Sequence, residues 1–239
     1  MNDLVAEIEK QLERIAPKNL NKVPHLRREN TIKSIHSSAA IEGNTLSIEQ
    51  VTAVIDGKRV LGKDREIREI KNYFDAYELI NEINPYNMND MLKTHRTMME
   101  ALVDECGTFR TTGVGVFDKH GKPVHIAPPA STVPVNMKNL FNWLTHTTEH
   151  PLIVSSIFHY EFEYIHPFQD GNGRMGRFWQ TTILTEWNPV FAFISAESIV
   201  RKRQIQYYAA LRESDKQSDC NVFIIFMLES ILEAVKEVV

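Results

Sequence analysis

The chain has almost no cysteine. Among its 239 residues only Cys106 and Cys220 occur, too few for a disulfide framework or a cysteine-rich zinc site. It has no long apolar run either: NVFIIFMLESILEAV is broken by Glu229 and Glu233, short of the roughly 18–20 residues that span a bilayer. The first residues, MNDLVAEIEKQLERI, are charged throughout rather than signal-like. Positive charge is not in excess, since 27 Lys and Arg face 31 Asp and Glu for a net charge of −4. With only Arg201, Lys202 and Arg203 as a dense basic cluster, the composition argues against a nucleic-acid partner, whose phosphates must be neutralised. Internal repeats, low-complexity tracts and interdomain linkers are also absent. What remains, at 43% hydrophobic and 24% charged residues, is a globular chain able to bury a sizeable core. The expected address is the cytoplasm, with no membrane association.

Most of the chain has helical period. Between Asp64 and Ile83, apolar side chains at Ile67, Ile70, Phe74, Tyr77 and Ile80 recur every three or four residues. Similar stripes are Met91, Leu92, His95, Met98 and Leu102; Met137, Leu140, Phe141 and Leu144; and Val222, Ile225, Phe226, Glu229 and Leu232. Taken alone, these are core-facing stripes.

Residues 107–134 break the pattern and hold many of the glycines and prolines. Two short β-type runs, VGVF (Val114 to Phe117) and VHIA (Val124 to Ala127), flank Asp118, Lys119, His120 and Gly121, which reads as a hairpin with Gly121 in the left-handed region. Pro123 places the second run at an exposed edge. Such an edge can hold an extended peptide by main-chain hydrogen bonds, or the hairpin can be merely structural.

The chemistry concentrates in HPFQDGNGRMGR, His166 to Arg177. Val154, Phe158, Phe162 and Ile165 form a helix stripe leading into it, and Pro167 disfavours helical geometry at His166, so His166 falls where a helix gives way to a loop. Asp170, Gly171, Asn172 and Gly173 make a sharp turn whose backbone N–H groups can converge on an anion, with a following helix adding its positive end. Arg174 and Arg177, three apart, share a helix face and can reach one anion. Asp170 suits Mg²⁺ held between phosphate oxygens, and His166 suits a general base for an incoming hydroxyl. Each has a plain alternative, as a helix-end histidine, a turn or a solvated face. Their concurrence in twelve residues points to a site.

GNGRMG also matches the dinucleotide fingerprint GxGxxG, with Glu197 near the place of a ribose-binding acid, and FHYEFEYI ahead of it alternates like a strand. The polar HPFQD intervenes where a buried strand should meet the first glycine, however, and no βαβ repeat accompanies it. The P-loop pattern GxxxxGK[ST] is missing.

HPFQDGNGRMGR resembles the defining motif of the Fic (filamentation induced by cAMP) family, HxFx[DE]GNGRxxR, at every fixed position. GTFRT (Gly107 to Thr111), the hairpin and YYAAL (Tyr207 to Leu211) match further family features, so the resemblance covers roughly residues 30 to 235. It implies an all-α Fic fold, a helical bundle with a short β-hairpin flap. It further implies a protein adenylyltransferase that moves AMP from ATP onto a Ser, Thr or Tyr hydroxyl. Carried over by position, His166 is the base, Phe168 anchors the loop, and Asp170 binds Mg²⁺. Asn172, Gly173 and Arg174, after the Gly171 turn, hold the α- and β-phosphates, and Arg177 pairs with the γ-phosphate. Val124, His125, Tyr207 and Tyr208 lie near the nucleotide, and residues 114–127 bind the target protein. Asp215 departs from the pattern, standing where some relatives place an adenine-contacting Asn.

SSAAIEGN, Ser37 to Asn44, is similar to the family's inhibitory motif [ST]xxxE[GN] through Ser38, Glu42 and Gly43. From the residues themselves, Ser38 to Glu42 is one helical turn, Gly43 a natural stop, and Ser47 with Gln50 the next capping box. The resemblance implies that Glu42 pairs with Arg177, displaces the γ-phosphate and holds the enzyme off. The expected organisation is an N-terminal helical extension over residues 1–60 bearing this motif and a catalytic core over 61–239. Two alternatives stay open: a transferase using another nucleotide or phosphoryl donor, and a non-catalytic nucleotide-sensing module. The oligomeric state is open too, a homo-oligomer included.

Overall fold

The computed structural model describes residues 1–15, 24–117 and 123–238, with the backbone alone for residues 24, 116, 117 and 123–125. The chain forms α1 (Asn2–Ile15), α2 (Pro24–Ile41), α3 (Ile48–Ile55), α4 (Asp64–Glu78), α5 (Met88–Met99), a hairpin of β1 (Gly115–Phe117) and β2 (Pro123–Ile126), then α6 (Val133–His146), α7 (Pro151–Ile165), α8 (Asn172–Trp187), α9 (Ala196–Lys202), α10 (Gln204–Gln217) and α11 (Asn221–Lys236). This is the expected all-α fold with a short hairpin.

The stripes of α4, α5, α6 and α7 face inward as their spacing predicts, with Ile70, Met91, His95, Met137 and Phe158 fully buried. Ser47 caps α3 in the expected box, its hydroxyl accepting from the Gln50 N–H at 3.3 Å while the Gln50 side chain accepts from the Ser47 N–H at 2.9 Å. The expected phase of α11 needs correction. Its buried side chains include Phe223, Ile224, Met227, Leu228 and Ile231, whereas Ile225 is exposed. That helix is apolar on nearly every side, so spacing alone selects no unique stripe; the packing of α1, α7, α9 and α10 around it does. The FHYEFEYI segment lies within helical α7, against the strand that a dinucleotide fold needs there.

Residues before position 61 bury their apolar faces with the rest. Ile32 and Ile35 of α2 and Val51 and Val54 of α3 join Ile70, Phe158, Phe168 and Phe178 in one cluster, and α1 packs Ile8, Leu12 and Ile15 with Leu228 and Ile231 of α11 in another. At the centre α7 and α8 lie against each other, and the loop between them carries the conspicuous motif. The hairpin is antiparallel, with Gly115 opposite Ile126 and Val116 opposite His125, and the Ala127 N–H extends it to the Val114 carbonyl at 3.3 Å. The turn expected at Asp118 to Gly121 lies outside the described residues, as do the side chains of Val124 and His125. Among the described residues no helix is long and apolar enough to cross a membrane.

Candidate active site

His166 ends α7 in the left-handed region, φ 50° and ψ 60°, because Pro167 bars the helical continuation. A second residue holds it there. The buried Arg110 donates through Nε to the His166 carbonyl at 2.7 Å and through Nη2 to the Ile165 carbonyl at 3.3 Å, while its other bonds reach the carbonyls of Thr112 and Pro128 at the root of the hairpin. One guanidinium thus ties the carbonyl end of α7 to the flap, a favourable place for a cation. The His166 ring is half-buried, with Nδ1 at 3.3 Å from the Glu163 carbonyl and 3.9 Å from its carboxylate.

The loop is fixed from both ends. Phe168 is fully buried and stacks on the His95 imidazole at 3.6 Å between centroids. His95 accepts at Nδ1 from the Gly107 N–H at 2.8 Å, which leaves Nε2 as donor to the Asp170 carbonyl at 3.0 Å. Burial pushes its pKa down to about 4. The Asn172 amide closes the loop by accepting from the Phe168 N–H and donating to the Phe168 carbonyl, both at 2.8 Å. Gly171 takes φ 86° with Met99 packed where a side chain would project, so both the conformation and the space require glycine.

These contacts fix the start of α8. The N–H groups of Asn172, Gly173 and Arg174 precede the helix's first internal bond, made by the Met175 N–H to the Gly171 carbonyl, and form a positive helix terminus. Two buried arginines flank it. Arg174 pairs with Glu69 and, at 2.6 Å, with Asp170 Oδ1; its Nε has no partner among the described residues. Arg177 donates to the Ser38 hydroxyl at 2.8 Å and to Glu42 Oε1 at 2.6 Å. Burial works against the Arg177 charge, but Glu42 together with Tyr207 and Tyr73 outweighs it and raises the pKa well above the ordinary value. A Cβ at position 173 would collide with Glu42 Oε1, so Gly173 is what admits the carboxylate to this corner. Glu42 follows Ile41, the last residue of α2, and precedes Gly43, whose φ of 92° stops the helix as expected.

A cavity of about 270 Å³ opens beside this arrangement, lined by Glu42, Asn44, Arg65, Glu69, Asp170 and Arg174 among others. Its size and its mixture of cations and carboxylates suit a polyphosphate better than an apolar ligand. Asp170 also meets Arg65 at 3.4 Å and keeps its side chain 41% exposed, so a carboxylate oxygen is open to a cation in that cavity. A single carboxylate completed by phosphate oxygens and water is a donor set that Mg²⁺ accepts. Among the described residues there is no cluster of three or more His, Cys, Asp or Glu able to hold a metal by themselves.

Of the residues singled out by sequence, Asp170, Gly171, Gly173, Arg174, Arg177, Ser38, Glu42 and Gly43 converge on this corner, and His166 stands at the other end of the loop, where α7 stops. Asn172 joins it through its main chain, since its amide is committed to Phe168. The tyrosine pair divides: Tyr207 is buried with its hydroxyl 3.0 Å from His159 Nε2, while the half-exposed Tyr208 lies near Glu42 and Arg177, with burial and the Glu42 charge raising its pKa. Asp215 accepts from the Tyr160 hydroxyl at 2.9 Å. Sequence reasoning missed Arg110 and His95 as parts of the site. GTFRT flagged the first without a role, and His95 read as one more member of a core stripe.

Comparison with known proteins agrees with this geometry. The sequence profile of the Fic/DOC family matches residues 85–184. A crystal structure of a Fic family protein from Desulfovibrio desulfuricans is 51% identical, superposes with a TM-score of 0.94 and is matched over 98% of this chain and 72% of its own. A Fic domain containing signaling protein from Bacteroides thetaiotaomicron shares the fold at a TM-score of 0.84 with 17% identity, over 98% of this chain and 95% of its own. Among curated proteins, the protein adenylyltransferase Fic of Culex quinquefasciatus is 29% identical over 84% of this chain, and that of Nematostella vectensis 29% over 66%. The chain spans about two fifths of the length of these relatives, 40% and 38%.

Proposed function

The chain belongs to the Fic family, and from that premise we propose that it is a protein adenylyltransferase, transferring AMP from ATP to a Ser, Thr or Tyr hydroxyl of a target protein and held off by Glu42. The observation that supports this reading is a helix terminus flanked by two buried arginines, Arg174 and Arg177, joined by a short loop to His166 at the end of α7. There His166 takes the proton of the target hydroxyl. The hydroxyl oxygen then bonds to the α-phosphorus as the bond to the β-phosphate oxygen breaks, giving AMP-protein and pyrophosphate. The N–H groups of Asn172, Gly173 and Arg174 and the two guanidiniums orient the phosphates and offset their charge, the main source of rate in such transfers. Mg²⁺, held by Asp170 and phosphate oxygens, would neutralise the β- and α-phosphates.

Several finer features belong to the same reading. Residues 1–60 act as a regulatory extension on the core of 61–239. The hairpin at 114–127 holds the target by main-chain pairing, for which the edge position of β2 and the exposed Ile126 speak. Val124, His125 and Tyr208 border the nucleotide. The two free cysteines are in keeping with the cytoplasm. A second reading, transfer from another nucleotide or phosphoryl donor, is favoured by one observation, Asp215 at an adenine-contacting position. Intact-mass measurement of Glu42→Gly incubated with each of the four nucleoside triphosphates and Mg²⁺ separates them: addition of AMP is expected, and addition of UMP or phosphate instead contradicts the choice of donor. His166→Ala in the same background should bind ATP and gain no mass; a mass gain there removes His166 from its role.

A further inference from the structure

Glu197 lies on α9 and is buried, yet its bonds are all to hydroxyls. Its Oε1 accepts from the Tyr77 hydroxyl at 2.9 Å and the Thr181 hydroxyl at 2.8 Å, and its Oε2 accepts from the Ser34 hydroxyl at 2.9 Å. Ser34 has one proton, so the Ser195 hydroxyl, also 2.9 Å away, donates to it in turn. The three donors come from α2, α4 and α8, the helices that meet at the inhibitory contact.

Each donor sits one helical turn from a residue of that contact. Ser34 precedes Ser38 by four on α2, Tyr77 follows Tyr73 by four on α4, and Thr181 follows Arg177 by four on α8. Residues four apart share a helix face, so two layers result. In the first, Ser38 is bonded to Tyr73 at 2.6 Å and to Arg177 at 2.8 Å, and Tyr73 reaches the Arg174 carbonyl at 3.3 Å. In the second, Ser34, Tyr77 and Thr181 converge on Glu197, and the Ser34 hydroxyl also bonds Tyr77 directly. Glu42, four residues after Ser38 and just past the end of α2, reaches Arg177.

The face that α2 turns inward includes three buried serines, Ser34, Ser37 and Ser38. Small side chains permit close approach but bury little apolar area, so along this strip, beside the buried Ile32, Ile35 and Ile41, directional bonds help set the rotation and slide of α2, and a bond to a carboxylate is about twice as strong as a neutral one. We propose that Glu197 is a positioning residue for the inhibitory glutamate: by gathering Ser34, Tyr77 and Thr181 it fixes the register of α2 against α8 and so keeps Glu42 on Arg177. This rests on the reading that Glu42 holds the transferase off.

The test is self-labelling from α-labelled ATP and Mg²⁺ by the full chain, comparing Ser34→Ala and Glu197→Gln with the parent, each made also in the Glu42→Gly background. Ser34→Ala removes the bond from α2 to Glu197, together with the Ser34 contacts to Ser195 and Tyr77, and leaves Tyr77 and Thr181 on the carboxylate. Loss of one such bond shifts the helix population by about fivefold, so each variant is expected to raise labelling about fivefold over the parent, less than Glu42→Gly does, and to add nothing once Glu42 is gone. Labelling unchanged by Ser34→Ala, or lowered to the same degree in both backgrounds, overturns the proposal and leaves Glu197 a packing residue. If Glu197→Gln fails to fold, Ser34→Ala decides alone. If Glu42→Gly itself does not raise labelling, the inhibitory reading fails first and this inference falls with it.

Discussion

Glu42 Oε1 stands 2.6 Å from Arg177 Nη2, and the two partners differ in access: the Arg177 side chain is 2% exposed and that of Glu42 is 30% exposed. The cation is fixed in the protein by Ser38 as well, while the carboxylate arrives from the rim and can leave. In the proposed reading, what Arg177 would offer to a triphosphate is occupied by the partly exposed Glu42 carboxylate.

If Glu42 occupies only the place of the terminal phosphate, as proposed, its removal should separate two nucleotides. Glu42→Gly is expected to tighten ATP binding by about tenfold or more, equivalent to at least ~1.4 kcal/mol, and to leave ADP binding within about twofold. Titration calorimetry with ADP and a non-hydrolysable ATP analogue measures both. Equal tightening for the two ligands would mean that Glu42 restricts the whole site rather than the γ-phosphate.

Arg110 links the His166 carbonyl to the hairpin root, so its replacement should disturb the reacting geometry more than nucleotide binding. Displacement of a catalytic group by about 1 Å can cost on the order of 100-fold in rate. In the Glu42→Gly background, Arg110→Lys is expected to lower kcat at least about tenfold with the KM for ATP within about twofold. Steady-state labelling kinetics check it, and a rise in KM alone would place Arg110 in binding.

His95 adds a pH dependence to stability. Burial lowers its folded pKa to about 4, below the unfolded value near 6.5. Between those values the unfolded chain takes a proton that the folded chain refuses, so the contribution of His95 is complete above about pH 6.5 and is lost as pH falls toward 4. At pH 5 the loss is about 2 kcal/mol. Urea midpoints at pH 7, 6 and 5 should fall for the parent and fall less steeply for His95→Gln; parallel slopes would remove His95 as the cause.

Much of this was legible in the sequence because the signals are local. Pro167 sets the end of α7, Gly43 the end of α2, and Ser47 with Gln50 the start of α3, each acting within a few residues. Twelve consecutive residues carry the loop, its glycines and both arginines, and the Ser38, Glu42 and Gly43 motif gave the pairing with Arg177. The rest depends on which surfaces meet. An all-round apolar helix such as α11 hides its phase, and a histidine on a helix stripe looks the same whether it fills the core or stacks on Phe168. Glu197 shows it most clearly, since its three donors are separated from it by 16 to 163 residues. Its one apparent sequence role, as a ribose-binding acid, belongs to a fold the chain does not have.

The central claim is that one carboxylate stands between this chain and transfer, and the rate of incorporation from α-labelled ATP tests it directly. Glu42→Gly should incorporate label into the chain or an added target well above the parent, and the Glu42→Gly, His166→Ala double variant should incorporate none. Labelling by the parent equal to that of Glu42→Gly, or persisting in the double variant, would contradict the account.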